Sequence, residues 1–357
     1  MPPTRPLLVT TDDVLLDDIV RLAAVSGTEI DVLADVGSNR ALWRSARVVL
    51  LSGDAARQMH FRPPRRSGVV LVSRDPDDAD VWELGVHVGA EHVAVLPDAE
   101  AWLIDILSSA GDRRAEPAPV VAVLGGRGGA GATTIAIALA TAAARDGQET
   151  MLLDADPLGG GIDLALGGEG ASGLRWDSFG AVEGRLASAA MAMALPCIDG
   201  LTVLTWDRAH TDCVTIPALA LDAALDAGRR GHDLVVVDLP RALDLGAQML
   251  AEQASVVYLV VPAELRATAA AARVAKQLRG CADVRVVVRG PSPGGLDGWL
   301  IAEALGLPLA ATLRAEQGLA ASYERGEVPG ARHRSPLAQF ASRAVGELTA
   351  STRRPAA

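Results

Sequence analysis

Short, largely apolar runs alternate with longer segments of mixed polarity along the chain, and these runs form two series. The first series consists of residues 7–9, 30–33, 47–51, 68–72 and 92–96. The second series consists of residues 120–124, 149–153, 201–205, 234–237, 255–261 and 284–288. Apolar runs separated by helical segments are typical of parallel strands that are covered on both faces. The pattern therefore predicts an α/β protein with two doubly wound domains, the second built on a mainly parallel sheet.

A polar segment with two prolines, residues 111–119, separates the two series. Such a segment has too few apolar side chains to bury itself, and its prolines favour an extended conformation. We therefore expect a first domain over residues 1–110, a linker over residues 111–119 and a second domain over residues 120–357.

Composition narrows the classes of protein to which this chain can belong. Half of its 357 residues are hydrophobic, which is enough to fill two cores. Its formal net charge of −11 disfavours sequence-independent binding to nucleic acid, so DNA is not an expected partner. No apolar run approaches the roughly 20 residues of a bilayer span, so we expect a cytoplasmic protein without stable membrane insertion. Peripheral association with a membrane stays open.

Cysteines and tryptophans show no pattern that indicates a site. Cys197, Cys213 and Cys281 are odd in number and widely spaced, which indicates reduced thiols rather than a disulfide framework or a zinc site. The six tryptophans, Trp176 and Trp206 among them, are scattered along the chain. We expect each of them to pack locally.

A glycine-rich loop, Gly125–Thr134, follows the first apolar run of the second series directly. Small residues allow successive backbone N–H groups to point at phosphate oxygens, and a following hydroxyl can bind Mg²⁺. Thr133 and Thr134 open an alanine-rich segment that predicts a helix over residues 133–144, whose N-terminus favours an anion. One residue departs from the pattern, because Ala132 stands where a phosphate-binding loop carries lysine.

Carboxylates close two further strands of the second series. Asp154 and Asp156 follow the run at residues 149–153, and Asp238 follows the run at residues 234–237. Ligands of open α/β sheets bind at the carboxyl ends of the strands. We therefore expect these carboxylates near the glycine-rich loop.

The first series resembles a response-regulator receiver domain, with Asp12-Asp13 after its first strand and Leu96-Pro97 near its end. The family's chemistry is missing, however. The third strand ends in Leu51–Gly53 without an acceptor carboxylate, Asp54 comes slightly too late, and Leu96 replaces the usual lysine. We therefore expect an atypical receiver-like, flavodoxin-like domain that serves docking or dimerisation, in which Asp12 and Asp13 act as loop-capping carboxylates.

The second series resembles the MinD/ParA group of P-loop ATPases, whose deviant Walker A loop reads K-G-G-x-G-K-[ST]-[ST]. This chain has Arg127–Thr134 at that place, and the resemblance covers residues 120–348. With a receiver-like domain in front, the chain is most similar to the CpaE/TadZ branch, and among these to the actinobacterial septum site-determining proteins labelled Ssd. The resemblance implies ATP or ADP with Mg²⁺ as ligands and a homodimer. It also implies cell-division or secretion and pilus machinery as partners.

The same resemblance assigns roles to individual residues. The phosphates would be wrapped by Gly128, Gly129, Ala130, Gly131, Ala132, Thr133 and Thr134. Thr133, Asp154 and Asp238 would hold Mg²⁺, directly or through water. Asp156 would orient the attacking water, and Arg127, in place of the signature lysine, would reach the phosphates of a partner subunit as a catalytic residue.

Two departures from the family pattern lower the expected activity. Ala132 removes the lysine that binds phosphate in cis, and Val286–Gly290 stands where relatives often carry an Asn-Arg pair whose Asn reads adenine. A hydrogen bond to a charged group contributes about 1.5–3 kcal/mol, or about one to two decades in affinity. Catalysis loses more, because charge develops on the transferred phosphoryl group. We expect weak nucleotide binding and slow or absent hydrolysis.

These expectations describe a spatial regulator that helps to determine the site of septum formation or of polar secretion and pilus assembly, with recruitment to the septum, a pole or the inner membrane face. Two alternatives stay open. One is an active ATPase that uses Arg127 in trans, and the other is a dimeric scaffold that works without nucleotide.

The end of the chain predicts an amphipathic helix over residues 335–348. One side of this helix carries Leu337, Phe340, Ala341, Val345 and Leu348. Its polar side is short of basic residues, which disfavours a membrane-surface helix. We expect it to pack into the core or a dimer interface.

Overall fold

The computed structural model describes residues 5–59, 66–78, 80–110, 117–180, 185–207, 215–316, 318–332 and 334–352. The chain forms two compact units, of which the first comprises residues 1–115 and 185–191 and the second residues 116–184 and 192–357. Most of the predicted linker, residues 111–116, lies outside the described residues, as does Cys213. In the part of the chain that is described, no helix is long and apolar enough to cross a bilayer.

The first unit contains a parallel sheet of five strands in the order β2-β1-β3-β4-β5. The strands are β1 Leu7–Val9, β2 Asp31–Leu33, β3 Val49–Ser52, β4 Val69–Ser73 and β5 His92–Val95. The helices are α1 Asp13–Val25, α2 Arg40–Ser45, α3 Gly53–Gln58, α4 Val81–Val88 and α5 Glu100–Ala110. Successive strand residues enter different hydrophobic clusters, since Leu7 belongs to one and Leu8 to the other. Both faces are therefore covered, which confirms the predicted doubly wound domain.

Two aspartates of this unit serve local structure. The Asp12 carboxylate caps α1 and accepts hydrogen bonds from the N–H groups of Val14 at 2.9 Å and Leu15 at 3.2 Å. This confirms the capping expected of Asp12. Asp54 accepts from the N–H of Thr11 at 3.1 Å and from its hydroxyl, so its carboxylate is tied to the loop after β1.

The second unit contains a sheet of eight strands in the order β13-β12-β11-β6-β10-β7-β9-β8. The strands are β6 Val120–Gly125, β7 Thr150–Asp154, β8 Cys197–Ile198, β9 Leu201–Leu204, β10 Leu234–Asp238, β11 Val256–Pro262, β12 Val284–Arg289 and β13 Leu309–Leu313. All neighbouring strands are parallel except the short β8, which pairs antiparallel with β9. The mainly parallel sheet is thus confirmed.

Nine α-helices and two short 3-10 helices, Trp176–Phe179 and Leu278–Gly280, lie after residue 120 in the described part of the chain. The α-helices are α6 Ala132–Arg145, α7 Ile162–Ala165, α8 Ser188–Ala194, α9 Ala218–Gly231, α10 Leu245–Glu252, α11 Leu265–Gln277, α12 Gly298–Leu305, α13 Leu319–Tyr323 and α14 Pro336–Thr352. The predicted helix at residues 133–144 agrees closely with α6. Since α6 begins a few residues after β6 ends, the glycine-rich loop joins these two elements.

The C-terminal helix α14 packs into the core of the second unit. Its apolar side joins the cluster that contains most of α6, and the Phe340 ring contacts Tyr258 edge-on with 5.5 Å between ring centroids. Leu337 and Ala341 are buried in the same cluster. The expected core packing of this helix is therefore confirmed.

Candidate functional site

The loop between β6 and α6 has a shape that depends on glycine. Gly129 and Gly131 have φ values of +70° and +95°, a region that side chains other than glycine rarely adopt. A Cβ at Gly126 would lie only 2.6 Å from the Cβ of Ala271. The N–H of Gly126 donates to the carbonyl of Val260 at 2.9 Å, which fixes the start of the loop against β11.

The loop fits an anionic group. A Cβ on Gly128 or Gly129 would meet open space, so both residues face outward. The N–H groups of the first turn of α6 have no preceding turn to bond to, and the helix dipole adds positive potential there. The Ala132 methyl packs against the core cluster and adds no charge. The backbone therefore offers donors for phosphate, while the residue at the lysine position offers none.

Two carboxylates meet beside this loop. Asp154 and Asp238 are the last residues of the adjacent strands β7 and β10 and are register partners. They are only 2% and 3% exposed. The Thr133 side chain lies close to the Asp238 carboxylate. These three side chains line one cavity of about 490 Å³ together with Gly159–Gly161. The structure thus brings together the three residues that the sequence assigned to Mg²⁺.

Burial makes both carboxyl groups weaker acids than usual. It raises the pKa of Asp154 to about 7. Burial, and next the charge of Asp154, raise the pKa of Asp238 well above its ordinary value. Two buried carboxylates are unfavourable unless a cation neutralises them. Within the described ranges, no group of three or more His, Cys, Asp or Glu side chains could hold a metal ion by itself. A Mg²⁺ ion would therefore also need oxygens from Thr133, water or a phosphate.

Three hydrogen bonds fix the Asp154 carboxylate. The Thr205 hydroxyl donates to it at 2.8 Å, the N–H of Asp156 at 3.2 Å and the N–H of Ile162 at 3.3 Å. Asp156 lies in the turn after β7, where its own carboxylate accepts from the N–H of Leu158 at 3.1 Å. Asp156 does not itself line the cavity, but its carbonyl accepts from the N–H of Gly159, which does, at 3.0 Å.

Two tryptophans support the same strand end, contrary to the expectation of local packing. The indole N–H groups of Trp176 and Trp206 both donate to the Asp154 carbonyl, at 2.6 and 3.1 Å. Their rings lie 5.9 Å apart between centroids. Residues this far apart in the sequence meet because β7 and β9 are neighbours in the sheet. No local sequence signal indicates this convergence.

Arg127 lies at the edge of the loop, where its guanidinium pairs with Glu264 of the same chain. Its Nη2 lies 2.9 Å from Oε1 of Glu264, and its Nη1 donates to the Gly128 carbonyl at 3.2 Å. Both side chains of the ion pair remain partly exposed, at 36% and 42%. Arg127 is therefore accessible, but in this chain it already has a carboxylate partner.

A second cavity, of about 500 Å³, adjoins the loop at Gly131 and Thr134. Arg289, the last residue of β12, lines it, and its Nη2 donates to the Gly129 carbonyl at 3.3 Å. Tyr323 lines both cavities, and its hydroxyl lies close to the Thr134 side chain. The sequence analysis identified the segment Val286–Gly290 as a departure from the family pattern, but it did not predict a place for Tyr323 at this site.

Known families match both halves of the chain. The family described as Rv3660c-like, CheY-like N-terminal domain matches residues 9–118. The family described as CobQ/CobB/MinD/ParA nucleotide binding domain matches residues 121–279. A relative over almost the whole length is protein Rv3660c of Mycobacterium tuberculosis strain H37Rv. It is 40% identical over 344 residues, which are 95% of this chain and 96% of that protein.

Two solved structures resemble this chain in fold. The MinC:MinD cell division protein complex of Aquifex aeolicus is 22% identical, covers 67% of this chain and 99% of its own, and has a TM-score of 0.53. The septum site-determining protein MinD of Pyrococcus horikoshii OT3, complexed with Mg-ADP, is 17% identical, covers 66% of this chain and 98% of its own, and has a TM-score of 0.51. At these identities the likeness establishes the fold alone. The P-loop NTPase-like fold expected from the sequence is confirmed.

Proposed function

The chain belongs to the Rv3660c-like family, which joins a CheY-like domain to a MinD/ParA nucleotide-binding domain, and on this premise we propose that it is a spatial regulator of cell division. In this proposal the second unit binds ATP or ADP with Mg²⁺ weakly and hydrolyses it slowly or not at all. The regulator marks the site of septum formation, or a pole where secretion and pilus machinery assembles, as the resemblance to the CpaE/TadZ branch implies.

One observation carries the nucleotide part of the proposal. Thr133, Asp154 and Asp238 line a single cavity beside a loop whose glycines face open space. Mg²⁺ would neutralise the two buried carboxylates, and the loop N–H groups together with the N-terminus of α6 would bind the phosphates. Weak binding follows from Ala132, because a methyl group offers the phosphates no charge.

Hydrolysis demands more than binding. A bound Mg²⁺ ion supplies charge neutralisation at the phosphates. Asp156 lies in the turn that bounds the carboxylate site, where it would hold an attacking water. The transition state also needs positive charge on the γ-phosphoryl oxygens, and position 132 does not provide it. We therefore assign the nucleotide a role in assembling the protein rather than in rapid turnover.

A homodimer and a protein partner complete the proposal. MinD of Aquifex aeolicus has been solved in complex with MinC, and the family resemblance implies a dimer with nucleotide at its interface. We propose that this chain also dimerises and presents a surface to division or secretion machinery. The CheY-like unit, in which Asp54 is tied to Thr11, would serve docking rather than phosphoryl transfer.

Calorimetry with Mg-ADP and Mg-ATP, combined with light scattering and an assay of phosphate release, tests the proposal. We expect dissociation constants in the high-micromolar to millimolar range and little turnover. No binding at millimolar nucleotide would overturn the nucleotide part and leave a nucleotide-independent scaffold. Fast turnover that disappears in Arg127→Ala and Asp156→Ala would instead establish an active ATPase that uses Arg127 in trans.

The spatial role needs a test in cells. A fluorescent fusion of the full chain should concentrate at septa or poles, and Thr133→Ala should disperse it by weakening the binding of Mg²⁺ and nucleotide. A uniform distribution of the wild-type fusion, with normal septum placement after deletion of the gene, would contradict the spatial role while leaving nucleotide binding untouched.

A further inference from the structure

Two arginines flank the glycine-rich loop, and their surroundings differ. Arg127 is paired with Glu264 at 2.9 Å. Arg289 reaches the loop from β12, and its Nη2 donates to the Gly129 carbonyl at 3.3 Å. Among the residues that the structure describes, Arg289 has no carboxylate within ion-pair distance. The positive charge of Arg289 is therefore available at the loop, whereas that of Arg127 is neutralised.

The Arg289 guanidinium lies directly over the turn of the loop. A Cβ built on Gly131 would be 3.4 Å from Nη1 and 3.7 Å from Cζ. The φ of Gly131 is +95°, so glycine both allows the turn and leaves room for the guanidinium. Gly131 is the N-cap of α6, the position at which the helix presents its free N–H groups. The arginine and the helix N-terminus thus bring positive potential to the same point.

One donor of Arg289 has no partner. Its Nε is buried and makes no hydrogen bond within the described residues, which is equally true of the Arg127 Nε, but Arg289 also lines the second cavity. A buried donor without an acceptor costs free energy, and that cost is removed when a ligand oxygen accepts from it. The fork of a guanidinium matches two phosphate oxygens, which a lysine ammonium cannot do.

No lysine can take this role. Lys276 is the single lysine of the chain and lies in the last turn of α11. This helix begins at Leu265, three residues after β11 ends, so Lys276 lies at the end of α11 that is remote from the carboxyl end of β11 and from the loop. At 1.5 Å per residue, these 11 positions span about 16 Å.

We propose that Arg289 supplies in cis, from the end of β12, the phosphate-binding charge that Ala132 lacks. The ligand is the phosphate chain of a nucleotide whose remainder occupies the cavity beside Arg289. The inference rests on the proposed nucleotide function and goes beyond it, because it assigns the compensating charge to a residue of the same subunit rather than to Arg127 of a partner.

Calorimetry on the full chain with two probes, Mg-ADP and Mg-pyrophosphate, tests this assignment. Pyrophosphate has neither base nor sugar, so a change in its binding reports a contact with phosphate. We expect Arg289→Gln to weaken the binding of both probes about tenfold to a hundredfold. The affinity of Arg289→Lys for each probe should lie between those of Arg289→Gln and the wild type, because lysine keeps the positive charge but lacks the forked pair of N–H donors.

Arg279→Gln is the matched control. Arg279 is an exposed arginine that follows α11 and lines neither of the two cavities beside the loop, so its loss changes the net charge equally outside the proposed binding site. We expect it to change either affinity less than threefold. Thermal unfolding of each variant, recorded without ligand, should agree with the wild type within a few degrees, which separates lost binding from lost structure.

The possible results lead to different conclusions. Equal binding of both probes by the wild type and Arg289→Gln overturns the role of Arg289 and leaves the proposed function standing. If Arg289→Gln weakens Mg-ADP but not Mg-pyrophosphate, the contact is with base or sugar and the phosphate assignment is wrong. An equal loss of affinity in Arg279→Gln also overturns the assignment, because general charge would then explain it. If the wild type binds neither probe, the proposed nucleotide function fails, and the role of Arg289 fails with it.

Discussion

Asp154 and Asp238 are register partners at the carboxyl ends of β7 and β10, and both carboxylates are almost completely buried. Burial raises the pKa of Asp154 to about 7, and burial together with the charge of Asp154 raises the pKa of Asp238 well above its ordinary value. Their ionised forms are therefore costly in the absence of a cation. This cost makes the site sensitive both to pH and to Mg²⁺.

The first prediction concerns pH and the variant Asp238→Asn. The pKa of Asp154 rises from 3.8 to about 7 on folding, so between these values the folded state binds more protons than the unfolded state. Without ligand, the free energy of unfolding should fall as pH rises from about 4 to about 7. Asp238→Asn removes one of the two buried titratable carboxyls, so the free energy of unfolding of the ligand-free variant should depend less on pH than that of the wild type.

Denaturant unfolding followed by tryptophan fluorescence at pH 5 and pH 8 measures both effects, because Trp176 and Trp206 adjoin Asp154. The variant should show a smaller difference between the two pH values, and Mg²⁺ should no longer strengthen its binding of ADP. An Asp238→Asn protein whose free energy of unfolding depends on pH as strongly as that of the wild type would contradict this account of the carboxylate pair.

The second prediction concerns the hydroxyl that orients Asp154. Thr205→Val keeps the shape of the side chain but removes the 2.8 Å hydrogen bond to the buried carboxylate, which should destabilise the fold by about 1–3 kcal/mol. It should also weaken the binding of Mg-ADP, since the carboxylate loses one of its three donors.

Thr150→Val is the control for Thr205→Val. Thr150 is equally buried and lies at the opposite end of β7, where its hydroxyl donates to the Gln148 carbonyl at 3.0 Å. This variant should lose about 1 kcal/mol of stability and bind Mg-ADP like the wild type. If calorimetry finds the same loss of affinity in both variants, Thr205 has no specific role at the site.

The parts of this protein that depend on local patterns could be predicted from the sequence. The apolar run at residues 234–237 became β10, and the loop Gly125–Thr134 joined a strand to a helix as expected. Asp154 and Asp238 could be placed near the loop because the ends of neighbouring parallel strands share one edge. These inferences need only the alternation of apolar runs with helical segments and the rule that ligands bind at the carboxyl ends of parallel strands.

The parts that depend on contacts between distant segments could not be predicted. Trp206 reaches Asp154 because β9 lies beside β7, and Arg289 reaches Gly129 because β12 ends near the loop. The residues next to Trp206 and Arg289 in the sequence form no pattern that indicates either contact. The ion pair of Arg127 with Glu264 likewise depends on the end of β11 lying beside the loop.

The third prediction separates the two roles of Arg127. Its ion pair with Glu264 is half-exposed, so Glu264→Gln and Arg127→Ala should each change the free energy of unfolding by less than about 1 kcal/mol. If Arg127 reaches across a dimer, it must leave Glu264. Glu264→Gln should then strengthen ATP-dependent dimerisation, and Arg127→Ala should abolish it. Sedimentation with and without Mg-ATP measures this. Unchanged dimerisation in Arg127→Ala would rule out its role in trans.

The fourth prediction concerns the CheY-like unit. Asp54 is engaged by the N–H and the hydroxyl of Thr11, and the lysine position near the end of the unit is the buried Leu96. Incubation with acetyl phosphate and Mg²⁺ should therefore leave the intact mass of the protein unchanged. A gain of one phosphoryl group that disappears in Asp54→Asn would show that this unit has kept receiver chemistry.

The last prediction restores the missing charge with Ala132→Lys. Ala132 is only partly buried and lies at the start of α6, at the position where the family's loop carries lysine. The ammonium should tighten the binding of Mg-ATP about tenfold to a hundredfold. Because it also meets the charge that develops in the transition state, phosphate release should become measurable.

Ala132→Met is the control for this variant, since it adds similar length without charge. It should bind Mg-ATP no more tightly than the wild type, and an equal gain in both variants would show that packing rather than charge limits binding. If Ala132→Lys regains turnover, Asp156 and the pair Asp154–Asp238 have kept a competent arrangement and the chain has lost a single charge. If it binds tightly without turnover, the site has lost its hydrolytic geometry as well, and the nucleotide serves as a structural ligand.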